Sequence, residues 1–270
     1  MYQETLPLHC EGSQAYAALS LYIHDKSPEI QISERPCILI CPGGGYEMTS
    51  DREAEVIALQ FLAFGYHAAV LRYSVDPAVY PTALLEVGKS ISYLRENAEP
   101  FGLKKDAIYL AGFSAGGHLA ASYGCFWNQD FVSQSLGCHS AVLQPNGMIL
   151  GYPVITSGEY GHQDSFRHLL GTEYESKKAS LSLERCITEA FPKTFVWHTF
   201  EDGLVPCQNS LLLVAELVKH HIPVDYHLFT KGGHGLSLAN KLTQVGDYGV
   251  EPSVEPWIIL VHNWLKEYEW

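Results

Sequence analysis

Basic residues are scarce in this 270-residue chain, and their scarcity limits what the protein can bind. Lysine and arginine together number 17 against 30 aspartates and glutamates, which leaves a formal net charge of −13 at pH 7. A surface of that sign repels nucleic acids, anionic membranes and polyphosphates at long range. We therefore expect a neutral small molecule as the partner, and neither nucleic acid nor membrane.

Long apolar runs are also missing. No stretch of about 18 apolar residues occurs, and the N-terminus lacks the basic segment followed by an apolar segment that is typical of a signal peptide. These absences predict a soluble, cytoplasmic protein. Apolar residues nevertheless make up 47% of the chain, which is enough for a sizeable core. The length fits one large domain over residues 1–270 better than two.

The seven cysteines form no recognisable pattern. They are scattered and odd in number, and none belongs to a Cys-x-x-Cys pair, so the sequence predicts neither a disulfide framework nor a zinc site. The 13 histidines likewise lack acidic or cysteine partners at the spacing of metal ligands. We expect buried thiols, no metal and no cofactor.

Apolar strands and amphipathic helices alternate along the chain. Cys37 to Cys41 suits a strand buried on both faces, Pro81 to Leu94 has helical spacing, and Ala17 to His24 predicts an edge strand. Asn128 to Gln144 is polar and predicts irregular structure. The order indicates an α/β protein with a mainly parallel, doubly wound sheet. Residues 155–192 predict a cap-like insertion over the carboxyl edge of the sheet, where it would shape a substrate pocket.

The other elements can be placed relative to the segment from Ile108 to His118. Gly112-Phe-Ser-Ala-Gly116 fits the pattern Gly-x-Ser-x-Gly, with an apolar run before it and a small, Ala-rich run after it. That context is typical of the nucleophile elbow of α/β hydrolases, where a strained turn between strand and helix exposes a serine. A side chain at either glycine would collide with the neighbouring helix or strand. We predict Ser114 as a nucleophile, the alternative being an ordinary turn.

A serine hydroxyl is a poor nucleophile at neutral pH, so it needs a base, and the base needs a third group to hold its tautomer. Candidates follow Ser114 in the order Asp202, His234, and each comes directly after a predicted strand. We expect the three to meet, because open α/β sheets bind their ligands at the carboxyl ends of the strands. Glu201 is the local rival of Asp202, since an Asp-Gly pair is also a common turn.

The base has to be chosen among 13 histidines. His234 alone lies between glycines on a late loop, which favours it as the general base. His198 falls inside a predicted strand, so we interpret it as structural. His118 follows the elbow glycines and is expected to pack beside the site rather than act in it.

Three consecutive glycines, Gly43 to Gly45, follow a buried strand. They leave backbone N–H groups free to approach a ligand closely, as an oxyanion hole requires. If Ser114 attacks a carbonyl, we predict that the N–H groups of Gly44, Gly45 and Ala115 hold the developing oxyanion. The alternative is a flexible loop.

Six separated motifs agree in order and spacing. They are Cys41-Pro-Gly-Gly-Gly-Tyr46, Gly112-Phe-Ser-Ala-Gly-Gly-His-Leu-Ala120, Tyr152-Pro-Val-Ile155, Ser165 through Leu169-Leu-Gly171, Glu201 through Ser210, and Gly232-Gly-His-Gly235. Together they resemble the small bacterial esterases of the α/β-hydrolase superfamily described as acetyl-xylan-esterase-like or xylanase-associated sugar esterases. The resemblance implies a serine carboxylesterase without cofactor, acting on short acyl esters and in particular on acetyl groups of carbohydrates. It also implies Ser114, Asp202 and His234 as the triad.

The chain departs from the family pattern at two places. Pro42 stands where the lipase-type loop often has histidine, and Tyr73-Ser74 stands where the family tends to have Tyr-Arg. We expect the substrate pocket to include four side chains, Tyr46, Phe113, Tyr152 and Val205. The aromatic members could stack on a sugar or pack in the core, and the sequence favours neither.

Two other functions stay open at this point. The same triad serves peptidases of the prolyl-oligopeptidase-like group, and a hydrolase fold can also be used for binding without catalysis. The oligomeric state is not encoded in any visible pattern, although exposed apolar segments that we expect near Trp257 and Trp264 leave a homodimer open.

Overall fold

A single sheet of eight strands forms the centre of residues 1–269, which are the residues that the computed structural model describes. Trp270, the last residue of the predicted domain, lies outside the described residues. In chain order the strands are β1 Tyr2–Pro7, β2 Ala18–Ile23, β3 Arg35–Cys41, β4 His67–Arg72, β5 Leu103–Phe113, β6 Gly147–Gly151, β7 Thr194–Thr199 and β8 Val224–Phe229. Their spatial order is β1-β2-β4-β3-β5-β6-β7-β8. Strands β3 to β8 run parallel, and β1 and β2 are antiparallel to their neighbours. The predicted α/β class with a mainly parallel sheet is confirmed.

Helices cover both faces of this sheet. They are α1 Glu55–Ala63, α2 Thr82–Glu96, α3 Ala98–Phe101, α4 Ser114–Phe126, α5 Asp130–Leu136, α6 Gln163–Leu170, α7 Tyr174–Lys177, α8 Gln208–Lys219 and α9 Trp257–Glu269. The buried side chains form two clusters, because successive residues of a strand point to opposite faces. Leu39 of β3 packs with α2, α4 and α8, whereas Ile38 and Ile40 pack with α1 and α9. The core therefore consists of two layers separated by the sheet.

The edge of the sheet differs from the prediction. Strand β2 is second from the edge, because β1 pairs with it along its whole length, from Tyr2 opposite Ile23 to Pro7 opposite Ala18. No side chain of β1 is fully buried, so its residues show no apolar alternation. The prediction of an edge strand at Ala17 to His24 is wrong for that reason.

The segment from Asn128 to Gln144, expected to be irregular, contains a helix. Helix α5 spans Asp130–Leu136, and a 3-10 turn follows at Ser140–Val142. Helix α5 has seven residues and only Val132 is buried, so the segment is too short to show a helical period among its polar neighbours. The prediction of irregular structure is wrong here.

Helix α9 closes the fold on the side of α1. Its residues Trp257 and Trp264 are 0% and 3% exposed, because they pack against the sheet. The expected exposure is therefore wrong for both tryptophans, which are part of the core, and the homodimer stays a prediction without support from them. None of the helices between residues 1 and 269 has the length and hydrophobicity that crossing a lipid bilayer requires.

Residues 155–192, between β6 and β7, contain α6, α7 and three 3-10 turns. Phe166, Leu169 and Leu170 of α6 are buried in the same cluster as α4. This segment therefore packs on the helix that begins at Ser114.

Candidate active site

Ser114 lies at the junction of β5 and α4. Its backbone φ is +53°, in the left-handed region that residues other than glycine rarely adopt. A Cβ at Gly112 would lie 2.3 Å from the carbonyl oxygen of Gly116, and a Cβ at Gly116 would lie 2.2 Å from that of Cys41. The collisions predicted for both glycines are confirmed. Because the backbone segments of the turn approach each other closely, Gly112 and Gly116 have room for a hydrogen atom but not for a Cβ.

Ser114, His234 and Asp202 form one hydrogen-bonded chain. Nε2 of His234 is 2.7 Å from Oγ of Ser114, and Nδ1 is 2.7 Å from Oδ2 of Asp202. The three residues follow β5, β8 and β7, whose carboxyl ends lie at the same edge of the parallel sheet. Glu201, the rival of Asp202, is exposed and pairs with Lys231 instead. The structure therefore brings Asp202, and not Glu201, to the histidine.

The Asp202 carboxylate is fully buried and fully hydrogen-bonded. Its Oδ1 accepts the backbone N–H groups of Leu204 and Val205 at 3.0 and 2.9 Å, while Oδ2 faces His234 and His198. Burial alone would raise the pKa of this carboxyl, but the hydrogen bonds from His198 and His234 outweigh it and hold the pKa well below the usual value. Asp202 is therefore a carboxylate at neutral pH.

A second histidine, His198, contacts the same Asp202 carboxylate. The sequence did not lead us to predict this contact. Nε2 of His198 lies 3.2 Å from Oδ2 of Asp202 and 2.8 Å from the carbonyl oxygen of Val205. Because a carbonyl can only accept, Nε2 carries the proton, and Nδ1 accepts the Ser210 hydroxyl at 2.7 Å. His198 does lie in β7, as predicted. The only sequence signal of this contact is the spacing of four residues between His198 and Asp202, across the end of β7.

The glycine loop presents free N–H groups to the cleft. The carbonyls of Gly43 and Gly44 accept backbone N–H groups from residues 47–50 at 2.8 to 3.1 Å. In a trans peptide the N–H points opposite to the carbonyl, so the N–H groups of Gly44 and Gly45 point away from residues 47–50. Within residues 1–269 neither of them donates to a protein acceptor, and both glycines line the cleft that contains Ser114.

Ala115, the third predicted donor, is the second residue of α4. The first N–H groups of a helix have no acceptor inside the helix, and they carry its partial positive charge. A Cβ at Gly43 would lie 2.9 Å from Cβ of Ser114, so the glycine loop is in direct contact with the nucleophile. Donors from the loop and from the helix are thus available on either side of Ser114.

A cleft of about 330 Å³ contains Ser114 and His234. Its walls are formed by Gly44, Gly45, Glu47, Met48, Ser50, Glu53, His162, Leu204 and Gly235. The four side chains predicted for the pocket are at most 2% exposed and are not part of these walls: Tyr46, Phe113, Tyr152 and Val205. They pack beneath the cleft instead, as Tyr152 does against the His234 ring at 5.1 Å between centroids. The expected pocket differs because these four side chains turn into the hydrophobic core and not into the cleft.

The insertion contributes His162 to the cleft and a contact to the glycine loop. Nδ1 of His162 lies 2.8 Å from Oγ of Ser165, and Nδ1 of His168 lies 2.9 Å from the carbonyl oxygen of Gly45. Burial, and to a smaller extent the nearby His234, lower the pKa of His162, so its ring is neutral at pH 7. Residues 155–192 therefore form part of the cleft wall.

His118 packs beside the site. Its Nδ1 is 2.9 Å from the Tyr46 hydroxyl, and its Nε2 is 3.0 Å from the carbonyl oxygen of Leu181. Burial lowers the pKa of His118 to about 4, which keeps the ring neutral at pH 7. The ring makes no hydrogen bond to Ser114 or His234 within the described residues, so it joins the glycine loop to the insertion.

Other chemistry-bearing side chains are dispersed. Among residues 1–269, no group of three or more His, Cys, Asp or Glu side chains could hold a metal ion. All seven cysteines are free, four of them buried and three half-buried.

Known proteins resemble this chain in sequence and in fold. A family model described as BD-FAE matches residues 22–217, which include Ser114 and Asp202. Endo-1,4-beta-xylanase B of Butyrivibrio fibrisolvens is 34% identical over 242 residues, or 88% of this chain. The solved structure of MGS-M1, an alpha/beta hydrolase enzyme from a deep-sea metagenome library, is 37% identical with a TM-score of 0.79, over 99% of this chain and 97% of that one. The acetyl ester-xyloside bifunctional hydrolase of Caldicellulosiruptor lactoaceticus is 32% identical with a TM-score of 0.81, over 97% and 92% of the two chains.

The lengths of these relatives differ. The chain spans only 37% of the length of the curated xylanase, whereas it matches the two solved structures almost end to end. The family model covers well over half of the chain, and the two solved structures superpose on nearly all of it. The chain has the α/β-hydrolase fold and belongs to the BD-FAE family.

Proposed function

We propose that the protein is a serine carboxylesterase that hydrolyses short-chain acyl esters, above all acetyl groups carried by a carbohydrate. One observation carries the proposal. Two hydrogen bonds of 2.7 Å join Ser114 to His234 and His234 to Asp202, in a cleft that is also lined by Gly44 and Gly45, whose N–H groups have no protein acceptor within the described residues. This is the arrangement that acyl transfer requires, with a nucleophile, a base, a group that orients the base, and donors for an oxyanion.

The first half of the reaction forms an acyl-enzyme. Oγ of Ser114 attacks the ester carbonyl while Nε2 of His234 takes its proton, and the carbonyl becomes a tetrahedral oxyanion. The Asp202 carboxylate holds Nδ1–H of His234 and stabilises the imidazolium. When the intermediate collapses, the C–O bond to the alcohol breaks, and His234 gives its proton to the departing alkoxide.

The second half releases the acid. A water molecule gives a proton to His234 and attacks the acyl carbonyl, and collapse of the second tetrahedral intermediate returns the proton to Ser114. In both halves the N–H groups of Gly44, Gly45 and Ala115 donate to the oxyanion. Donors that are held by the backbone before the reaction starts need little reorganisation when charge develops.

The carbohydrate part of the proposal rests on the cleft and on the relatives. Ser165 is buried and its hydroxyl has no partner other than Nδ1 of His162 within the described residues. If the Ser165 hydroxyl accepted a hydrogen bond from Nδ1 of His162, its own proton would have no acceptor. The hydroxyl therefore donates to Nδ1, and the hydrogen of the neutral His162 ring is on Nε2. This N–H is available to a hydroxyl-rich alcohol in the cleft. Two relatives are named for xylan or xyloside chemistry, which agrees with such an alcohol.

The test is hydrolysis of nitrophenyl esters of increasing acyl length, beside an acetylated xylo-oligosaccharide and a small peptide amide. Each substrate is assayed with the wild type and with Ser114→Ala. We expect turnover to be highest for acetate, to extend to the acetylated sugar, and to fall by about 10⁴-fold or more in Ser114→Ala without loss of the fold.

Two results would contradict the proposal. Activity that survives in Ser114→Ala would remove the assigned nucleophile, and cleavage of the amide without cleavage of esters would favour the peptidase alternative. Circular dichroism of both proteins separates a chemical effect from unfolding.

A further inference from the structure

Glu53 is a buried carboxylate at the candidate active site to which the mechanism assigns no role. The residue is 4% exposed, lies in the 3-10 turn Asp51–Glu53 before α1, and lines the cleft that contains Ser114. No lysine, arginine or histidine forms an ion pair with it within the described residues. Burying a carboxylate without a cation is costly, so its other contacts must compensate.

The two oxygens of this carboxylate accept hydrogen bonds from different parts of the site. Oε2 accepts the backbone N–H of Gly43 at 2.7 Å, and Oε1 accepts the hydroxyl of Tyr152 at 2.5 Å. A Cβ at Gly43 would touch Oε2 of Glu53 at 2.7 Å and Cβ of Ser114 at 2.9 Å. The first peptide of the glycine loop is thus confined between Glu53 and the nucleophile.

Tyr152 continues the connection to the loop that carries the base. Its hydroxyl donates to Glu53 and accepts the backbone N–H of Ser237 at 3.0 Å, three residues beyond His234. Its ring meets the His234 ring edge to face, 5.1 Å between centroids. The backbone φ of Tyr152 is +37°, a strained value that persists only where the surroundings hold it. The contacts of Glu53 therefore reach both the oxyanion loop and the histidine loop.

We propose that Glu53 is a positioning residue, whose carboxylate holds the oxyanion loop through Gly43 and the base loop through Tyr152 in register with Ser114. This inference rests on the proposed esterase function. A donor that is displaced by a fraction of an ångström binds a substrate carbonyl almost as before but stabilises the tetrahedral oxyanion less. Loss of the Glu53 contacts should therefore lower kcat and leave KM nearly unchanged.

The chain offers a matched control in Glu86 of α2. Its side chain is completely buried and forms no ion pair within residues 1–269, and its carboxylate accepts three hydrogen bonds, two from Ser74 and one from Ser13, outside the cleft. Glu53→Gln and Glu86→Gln make the same chemical change. In each, one carboxylate oxygen becomes an NH₂ group, which cannot accept.

The experiment measures kcat and KM on nitrophenyl acetate, the affinity for an acetyl-type trifluoromethyl ketone, and the melting temperature of both variants. Ser114 adds to the ketone, and the adduct carries an oxyanion. We expect Glu53→Gln to lower kcat by about 10- to 100-fold and to keep KM within about twofold of the wild-type value. The affinity for the ketone should fall by the same factor as kcat. Glu86→Gln should lower the melting temperature and leave kcat and the ketone affinity unchanged.

Equal kcat values in the two variants would overturn the positioning role, and so would a rise in KM with unchanged kcat. If Glu53→Gln does not fold, Tyr152→Phe decides, because it removes the donor to Oε1 of Glu53 together with the acceptor of the Ser237 N–H, and so cuts the connection to the base loop: a kcat equal to that of the wild type overturns the proposal. If the wild type hydrolysed none of the esters, or if Ser114→Ala kept full activity, the esterase function itself would be rejected. The two failures are therefore distinguishable.

Discussion

Asp202 accepts a hydrogen bond from two imidazoles on one oxygen, and this decides what a substitution there would do. In Asp202→Asn the amide can offer its oxygen to only one pair of donors, and its NH₂ group then faces N–H groups of the backbone or of a histidine. The backbone N–H groups of Leu204 and Val205 can only donate, so the amide oxygen stays with them, the NH₂ group faces Nδ1 of His234, and His234 is held in the wrong tautomer. We expect kcat to fall by about 10⁴-fold, as loss of this group does in other triads.

Glu201→Gln is the matched control for this substitution. Glu201 is the adjacent acid, but it is exposed and contacts Lys231 rather than His234. Its kcat should stay within about twofold of the wild type. Equal losses in the two variants would mean that Asp202 is not the group that orients His234.

The strand-turn-helix element at Ser114 depends on the absence of side chains at its glycines. In Gly116→Ala the new Cβ would lie 2.2 and 2.4 Å from the carbonyl oxygens of Cys41 and Pro42, which are backbone atoms that cannot rotate away. We expect the free energy of unfolding to fall by about 2 kcal/mol or more. Gly203→Ala, with no atom within 4 Å of the new Cβ, should leave it nearly unchanged. Chemical denaturation of both variants measures the difference, and similar losses would contradict the tight turn.

The contact of α4 with the glycine loop and the insertion makes stability depend on pH. Burial lowers the pKa of His118 to about 4, and its hydrogen-bond partners, Tyr46 and the carbonyl of Leu181, are uncharged in this pH range. The unfolded chain takes up a proton near pH 6.5 whereas the folded chain does not, so the stabilisation is complete above pH 6.5 and is lost as the pH falls towards 4.

For His118 this loss amounts to about 3 kcal/mol. His118→Gln removes the titrating group, so the decline in the free energy of unfolding between pH 6.5 and 4 should be shallower by about that amount. Urea unfolding at a series of pH values measures it. His9→Gln, at an exposed histidine, is the control and should keep the wild-type slope. An unchanged slope in His118→Gln would show that the ring is protonated in the folded protein.

The net charge of the whole molecule affects how fast a charged substrate reaches the cleft. With a formal net charge of −13, the surface repels anionic substrates at long range, and salt screens that repulsion. We expect kcat/KM for a nitrophenyl hemisuccinate to rise severalfold between about 50 mM and about 500 mM NaCl. The neutral nitrophenyl acetate should change little. A similar response of both esters would mean that the net charge has no influence on substrate capture.

Much of the architecture could be predicted because local patterns determine it. The segment from Cys37 to Cys41 is a continuous apolar run, and the segment from Pro81 to Leu94 has apolar residues at helical spacing. The structure contains these segments in β3 and α2. Strand β1 and helix α5 escaped prediction because hardly any of their side chains are buried. Their existence follows from backbone pairing and from contacts to distant elements, which leave no apolar period.

The sequence by itself determined the α/β order, the collisions at Gly112 and Gly116, and the positions of Ser114, Asp202 and His234 directly after three parallel strands of the sheet. These follow from patterns within short segments and from the rule that parallel strands end at one edge. Only the tertiary structure decided that His198 shares the Asp202 carboxylate, that the predicted pocket aromatics lie in the core, and that Glu53 contacts Gly43 and Tyr152. Glu53 and Tyr152 are 99 residues apart in the chain, and no local pattern encodes a contact made by folding alone.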